Sequence, residues 1–120
     1  MSQKNDNATL NQKVEKSEVK DMVLNDFRIM MESREASLMG RREVLTGKAK
    51  FGIFGDGKEL AQLCLAKQFM DGDYRSGYYR DQTILLALGE VSLQEYYAQL
   101  FSDTNIDNEP HSAGRQMNCH

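Results

Sequence analysis

The chain is poor in the residues that staple or break structure. Its 120 residues include two cysteines and one proline. Cys64 and Cys119 form no Cys-x-x-Cys pair, so neither a zinc ribbon nor a dithiol motif is spelled out. Adjacent Cys119 and His120 point apart in most backbones, and with His111 they make no zinc set by spacing. No disulfide is demanded, which reads as a reduced, intracellular chain in the cytoplasm. No apolar run approaches the roughly 20 residues of a membrane span. The N-terminus lacks the apolar core of a secretory signal, and the absence of arginine before Arg28 makes a poor transit peptide. The 15 basic and 18 acidic residues are mixed along the sequence, with a net charge of −3. A nucleic-acid footprint would need a basic stripe. Neither a membrane nor a nucleic acid is therefore expected as a partner.

What is present suits one domain or a piece of one, with 40% hydrophobic residues for a modest core. The first sixteen residues, "MSQKNDNATLNQKVEK", are almost wholly polar and are expected to be a disordered arm. Residues 17–120 read as helical. Ser17 can cap a helix, with Glu18 in its first turn. Val19, Met22, Val23, Phe27, Met30, Met31 and Leu38 then recur in steps of three and four, predicting a core-facing stripe that runs to about Leu45 and stops at Gly47. Gly40 inside it marks a close contact or a bend.

Asp56, with Glu59 three residues on, predicts a capped second helix, "KELAQLCLAKQFM", apolar around much of its girth and buried on more than one side. Cys64 within it reads as a buried small hydrophobe. "YRSGYYRD" reads as a short extended segment with a turn at Ser76-Gly77. Asp81 can cap "QTILLAL", which Gly89 closes. Ser92 and Glu95 form a capping box for "LQEYYAQLF". The fold class is thus mainly α: about four helices and one short extended segment, with no run of central strands.

Two stretches could carry chemistry. "GDG" at Gly55–Gly57 suggests a metal-phosphate motif, but the next asparagine is Asn105, too far on to complete it. Glycine for the turn, aspartate for the cap and glycine for close approach explain the run without metal. Arg80 follows Tyr78 and Tyr79 and precedes a helix start. A guanidinium fork, a phenol and a helix N-terminus together suit phosphate oxygens. The residue types alone equally allow packed tyrosines with Arg80 paired to Asp81 or Asp73.

In order, Gly57-Lys58-Glu59, Tyr79-Arg80-Asp81, "ILLAL" and Gly114-Arg115-Gln116-Met117 with His120 resemble the thiamin-diphosphate-dependent 2-oxoacid dehydrogenases. The similarity is to the alpha region of the decarboxylating component. It covers roughly residues 20–120 and is strongest from Phe51 on. It implies that Tyr79 and Arg80 bind the cofactor diphosphate, with Tyr78 lining the site. It places Arg115, Gln116 and His120 in a loop leading to the active site. The "GRQM" form looks like the branched-chain type, that is, a 2-oxoisovalerate dehydrogenase. Gln82-Thr83, where His-Gly or Ala-Gly often follow, and "SAG" instead of Gly-Lys-Gly depart from the pattern, as in a sub-branch with alpha and beta regions fused.

The resemblance further implies thiamin diphosphate as cofactor, its magnesium ion bound by residues this sequence lacks. The implied partners are a beta region or subunit and a lipoyl-bearing acyltransferase. The sequence then looks like the N-terminal part of an α/β cofactor-binding fold, truncated before its sheet, with apolar faces left exposed on the second and third helices. The rival expectation is a small helical protein-interaction module. On the dehydrogenase reading, the isolated chain should show no 2-oxoacid decarboxylation in a coupled assay, and measured turnover would overturn that expectation.

Overall fold

The computed structural model describes residues 16–115. Four helices follow in chain order: α1 (Lys16–Leu45), α2 (Glu59–Ala66), α3 (Gln82–Leu88) and α4 (Leu93–Leu100). No strand occurs among the described residues. Lys16, expected in the polar arm, opens α1, so Ser17 lies inside the first turn rather than capping it. Residues 1–15 lie outside the described part.

α1 is 30 residues long, about 45 Å at the usual helical rise. Its buried face is not the large apolar stripe. It consists of Ser33, Ala36, Ser37 and Gly40. These residues recur in steps of one, three and four and are all small, which lets other elements come close to the helix axis. Gly40 is the tightest point: a Cβ there would stand 2.5 Å from the Phe54 ring and 3.3 Å from Leu100. The expected stripe faces largely away: Val23 is 54% and Phe27 57% exposed, Val19, Met22, Met31 and Leu38 are exposed as well, and Met30 alone is half-buried. Periodicity located a helix correctly; residue size misidentified its buried side.

α2 and α3 pack on one another and on α1, and α4 packs on α1. Ala36, Ala66, Ile84, Leu85, Val91 and Tyr96 form the apolar core, flanked by Phe54, Phe69 and Tyr97. α2 buries one edge, Glu59, Leu63 and Ala66, spaced for a single face. It is not buried on several sides: Leu60, Leu65 and Cys64 are exposed, so Cys64 is no core residue. α3 leaves no such face, since its first four residues are buried and Leu86, Ala87 and Leu88 are half-buried. Gly89 closes α3 in the left-handed conformation, φ 75°. The Ser92–Glu95 capping box opens α4 as expected, with both reciprocal bonds made.

Polar side chains join α3 to α1. Gln82, 4% exposed, donates from Nε2 to Ser33 O at 2.9 Å and Ser37 Oγ at 2.6 Å. Its Oε1 accepts from the Tyr96 hydroxyl at 3.2 Å. The hydroxyls of Thr83 and Ser33 lie 2.6 Å apart, and Tyr97 donates to Ala36 O at 3.1 Å. Burial pushes the Tyr96 phenol well above its ordinary pKa, so it remains a donor. Replacing Gln82 with leucine strips partners from buried groups on α1 and α4. At about 1–3 kcal/mol for each orphaned group, Gln82→Leu should lower the urea midpoint markedly with an unchanged m-value.

Candidate functional site: a tyrosine–arginine turn

The turn before α3 lies at residues 78–81, not at Ser76-Gly77. Asp81 N donates to Tyr78 O at 3.0 Å. The Asp81 carboxylate folds back over the turn, accepting from Tyr78 N at 3.0 Å and Arg75 Nη1 at 3.1 Å. Asp81 occupies the N-cap position of α3 but makes no side-chain capping bond. Gln62 of α2 does that work: its Oε1 accepts from Ile84 N at 3.2 Å, while its Nε2 donates to Arg80 O at 2.9 Å. The same carbonyl leans on Gly55, where a Cβ would come within 2.3 Å of it. The two glycines thus exchange their expected parts: Gly55 makes the close approach, to the Arg80 backbone, and Gly57, expected to make it, has open space where a Cβ would stand.

The turn holds Tyr78, Tyr79 and Arg80 side by side. The two tyrosine rings are 4.0 Å apart at 32°, and Tyr78 OH donates to Tyr79 OH. That bond is the first cause raising the Tyr78 pKa. The Arg80 guanidinium carbon lies 5.6 Å from the Tyr79 ring centre, within cation–π range. Arg80 does not pair with Asp81 or Asp73. Arg75 takes Asp81, and Asp73 accepts from Met70 N. Among the described residues Arg80 Nε is buried with no hydrogen-bond partner. A buried N–H on a cation is costly when unmatched.

The Gly-Asp-Gly turn, closed by Lys58 N donating to Gly55 O at 3.1 Å, sits alongside. Gly57 has φ 92°, which favours glycine. Asp56 does not cap α2; its carboxylate is taken by Arg41. Glu59 makes no capping box either. It is buried and gripped by Arg34 at two points, 2.6 Å from Nε and 2.9 Å from Nη2, and accepts from Gly57 N. Among the described residues no group of three His, Cys, Asp or Glu is placed to hold a metal ion.

Arg115 stays in its own loop. Its backbone N and Nε both donate to Ser112 O, and its carbonyl lies 2.6 Å from Ser112 Oγ. The loop wraps around Glu109, a fully buried carboxylate that accepts from the N–H groups of His111, Ser112 and Gly114. Burial alone would push Glu109 up; the Ser112 hydroxyl and these N–H groups prevail and hold it below the usual range. Ala113 and Gly114 both adopt positive φ, 52° and 83°, and the Gly114 N–H is thereby brought back to the Glu109 carboxylate. Sequence reading missed Glu109; the acid followed by Ser112, three residues on, and Gly114 was the available signal. Gln116 and His120 lie outside the described residues.

No helix among the described residues is long and apolar enough to cross a membrane. Comparison with protein-family models, curated proteins and solved structures returned no match.

The Arg34 hydrogen bonds hold Glu59 at about 2, against an ordinary 4.5, with burial opposing them and the Gly57 N–H assisting. A depressed carboxylate stabilises the fold above its unfolded-state pKa and loses that contribution as pH falls through the folded one. Glu59→Gln should therefore flatten the stability profile between pH 4.5 and 2. Chemical denaturation at several pH values checks this; an unchanged slope would remove Glu59 as a source of acid sensitivity.

Proposed function

We propose that the chain is part of the alpha region of a thiamin-diphosphate-dependent 2-oxoacid dehydrogenase, and that its tyrosine–arginine turn holds the cofactor's diphosphate. The single observation that carries this is the buried, unpartnered Nε of Arg80 beside the Tyr79 ring. A donor left unmatched in the free chain suits an acceptor that arrives with a ligand. Two phenolic hydroxyls hold two protons, and the bond between Tyr78 and Tyr79 uses one of them. The other is available to a phosphate oxygen. The donor set thus fits a diphosphate group. It does not offer a magnesium site, and none of these residues is assigned to the metal.

On this reading thiamin diphosphate, when bound, supplies the electron sink for decarboxylation of a 2-oxoacid. The residues of this chain bind and orient its phosphate end. The Gly-Arg-Gln-Met resemblance favours a branched-chain 2-oxoacid, with a beta region completing the site and a lipoyl-bearing acyltransferase receiving the acyl group. A second reading, a helical interaction module, draws on α1. Leu24, Met31, Leu38 and Leu45 recur every seven residues and are all exposed, a spacing that suits a partner helix.

Calorimetric titration of the chain with inorganic pyrophosphate and with thiamin diphosphate separates the readings. The dehydrogenase reading expects saturable binding, weakened roughly tenfold or more in Arg80→Ala, as for loss of charged hydrogen bonds. No saturation by the unmodified chain, or equal affinity in Arg80→Ala, would overturn it.

A further inference from the structure

A groove of about 350 Å³ opens beside Arg80, walled by Val44 and Leu45 from the end of α1 and by Ile53 and Phe54. Arg41 lines the same groove. Two arginines from distant parts of the sequence therefore line one space. Like charges gathered around a cleft with apolar walls raise its attraction for anions. Among the described residues the one carboxylate bonded to either of them is Asp56, which takes Arg41, while Arg80 keeps its unmatched Nε. Asp56 sits on the turn between Gly55 and Gly57, and its side chain is part-exposed, as is that of Arg41. An exposed ion pair of this kind is worth little, so a multivalent anion can displace it at small cost.

We propose that Arg41 is the second cation of the anion site at Arg80, and that Asp56 is its resident counter-ion, exchanged for the ligand's anionic group on binding. This rests on the reading of Arg80 given above and adds a residue which that reading did not contain. The Gly-Asp-Gly turn gains a role distinct from metal binding: its carboxylate competes with the ligand and sets the affinity of the site.

The test is pyrophosphate titration of the whole chain by calorimetry, with circular-dichroism melts to establish that each variant is folded. Arg41→Gln should weaken binding roughly tenfold, the loss of a charge-assisted contact. Arg41→Lys, which keeps the charge but not the fork, should fall between it and the parent. Asp56→Asn should tighten binding by roughly two- to fivefold, the range of an exposed pair. That gain should vanish in the Arg41→Gln/Asp56→Asn double variant, since the carboxylate acts through Arg41. Loss of binding in Arg80→Ala with no effect of Arg41→Gln would overturn the role of Arg41 while leaving Arg80 in place. Weaker binding in Asp56→Asn would overturn the counter-ion role. Failure of the parent chain to bind would remove both this proposal and the reading beneath it.

Discussion

Gln82 reaches from the first turn of α3 into a slot on α1 that exists because Ser33 and Ser37 are small. Its carboxamide satisfies a backbone carbonyl and a hydroxyl on α1 and receives the Tyr96 hydroxyl of α4. One buried side chain thus fixes three helices against each other. Burying a polar group this completely is tolerable only when its bonds are made, and each partner here is in turn constrained by another. Thr83 meets Ser33 and Tyr97 meets Ala36 O, so the contact has a single register. The apolar core of Ile84, Leu85 and Tyr96 forms around this seam.

Much of this architecture was legible in the sequence, and the failures share a cause. Helix number, the end of α3 at Gly89 and the opening of α4 at Ser92 follow from local backbone chemistry, which neighbouring residues settle. The inward face of α1 does not. Large apolar residues at helical spacing mark a face that something could cover, whereas the covered face is the one where neighbours can come closest. Asp56 and Asp81 both stand just before a helix, where the sequence predicts a cap. Each instead answers an arginine, Arg41 or Arg75, and such pairings across the fold have no local signature. Gln82 and Thr83 depart from the pattern of the resemblance, and they are the seam itself.

The site divides along the same line. That Tyr78, Tyr79 and Arg80 stand together was readable, since adjacency is a property of the sequence. That Arg80 has no carboxylate partner among the described residues was not, because two acids, Asp73 and Asp81, stand close to it in the sequence. Arg75 and a backbone amide claim them. Glu109 shows the opposite outcome: its loop brings N–H groups to the carboxylate and supplies its own anion, so Arg115 is occupied with the loop's internal structure.

Gln62 gives the turn a property that its own residues lack. One carboxamide grips Arg80 O on one side and Ile84 N on the other, while Gly55 supports the same carbonyl from a third direction. The direction in which Arg80 points is therefore set by α2 and the Gly-Asp-Gly loop. "DYRSGYYRDQT" grafted onto another helical scaffold would carry the tyrosines and the arginine but not their aim. The portable unit is larger, running from Gly55 through Ile84, and it moves as one piece or not at all.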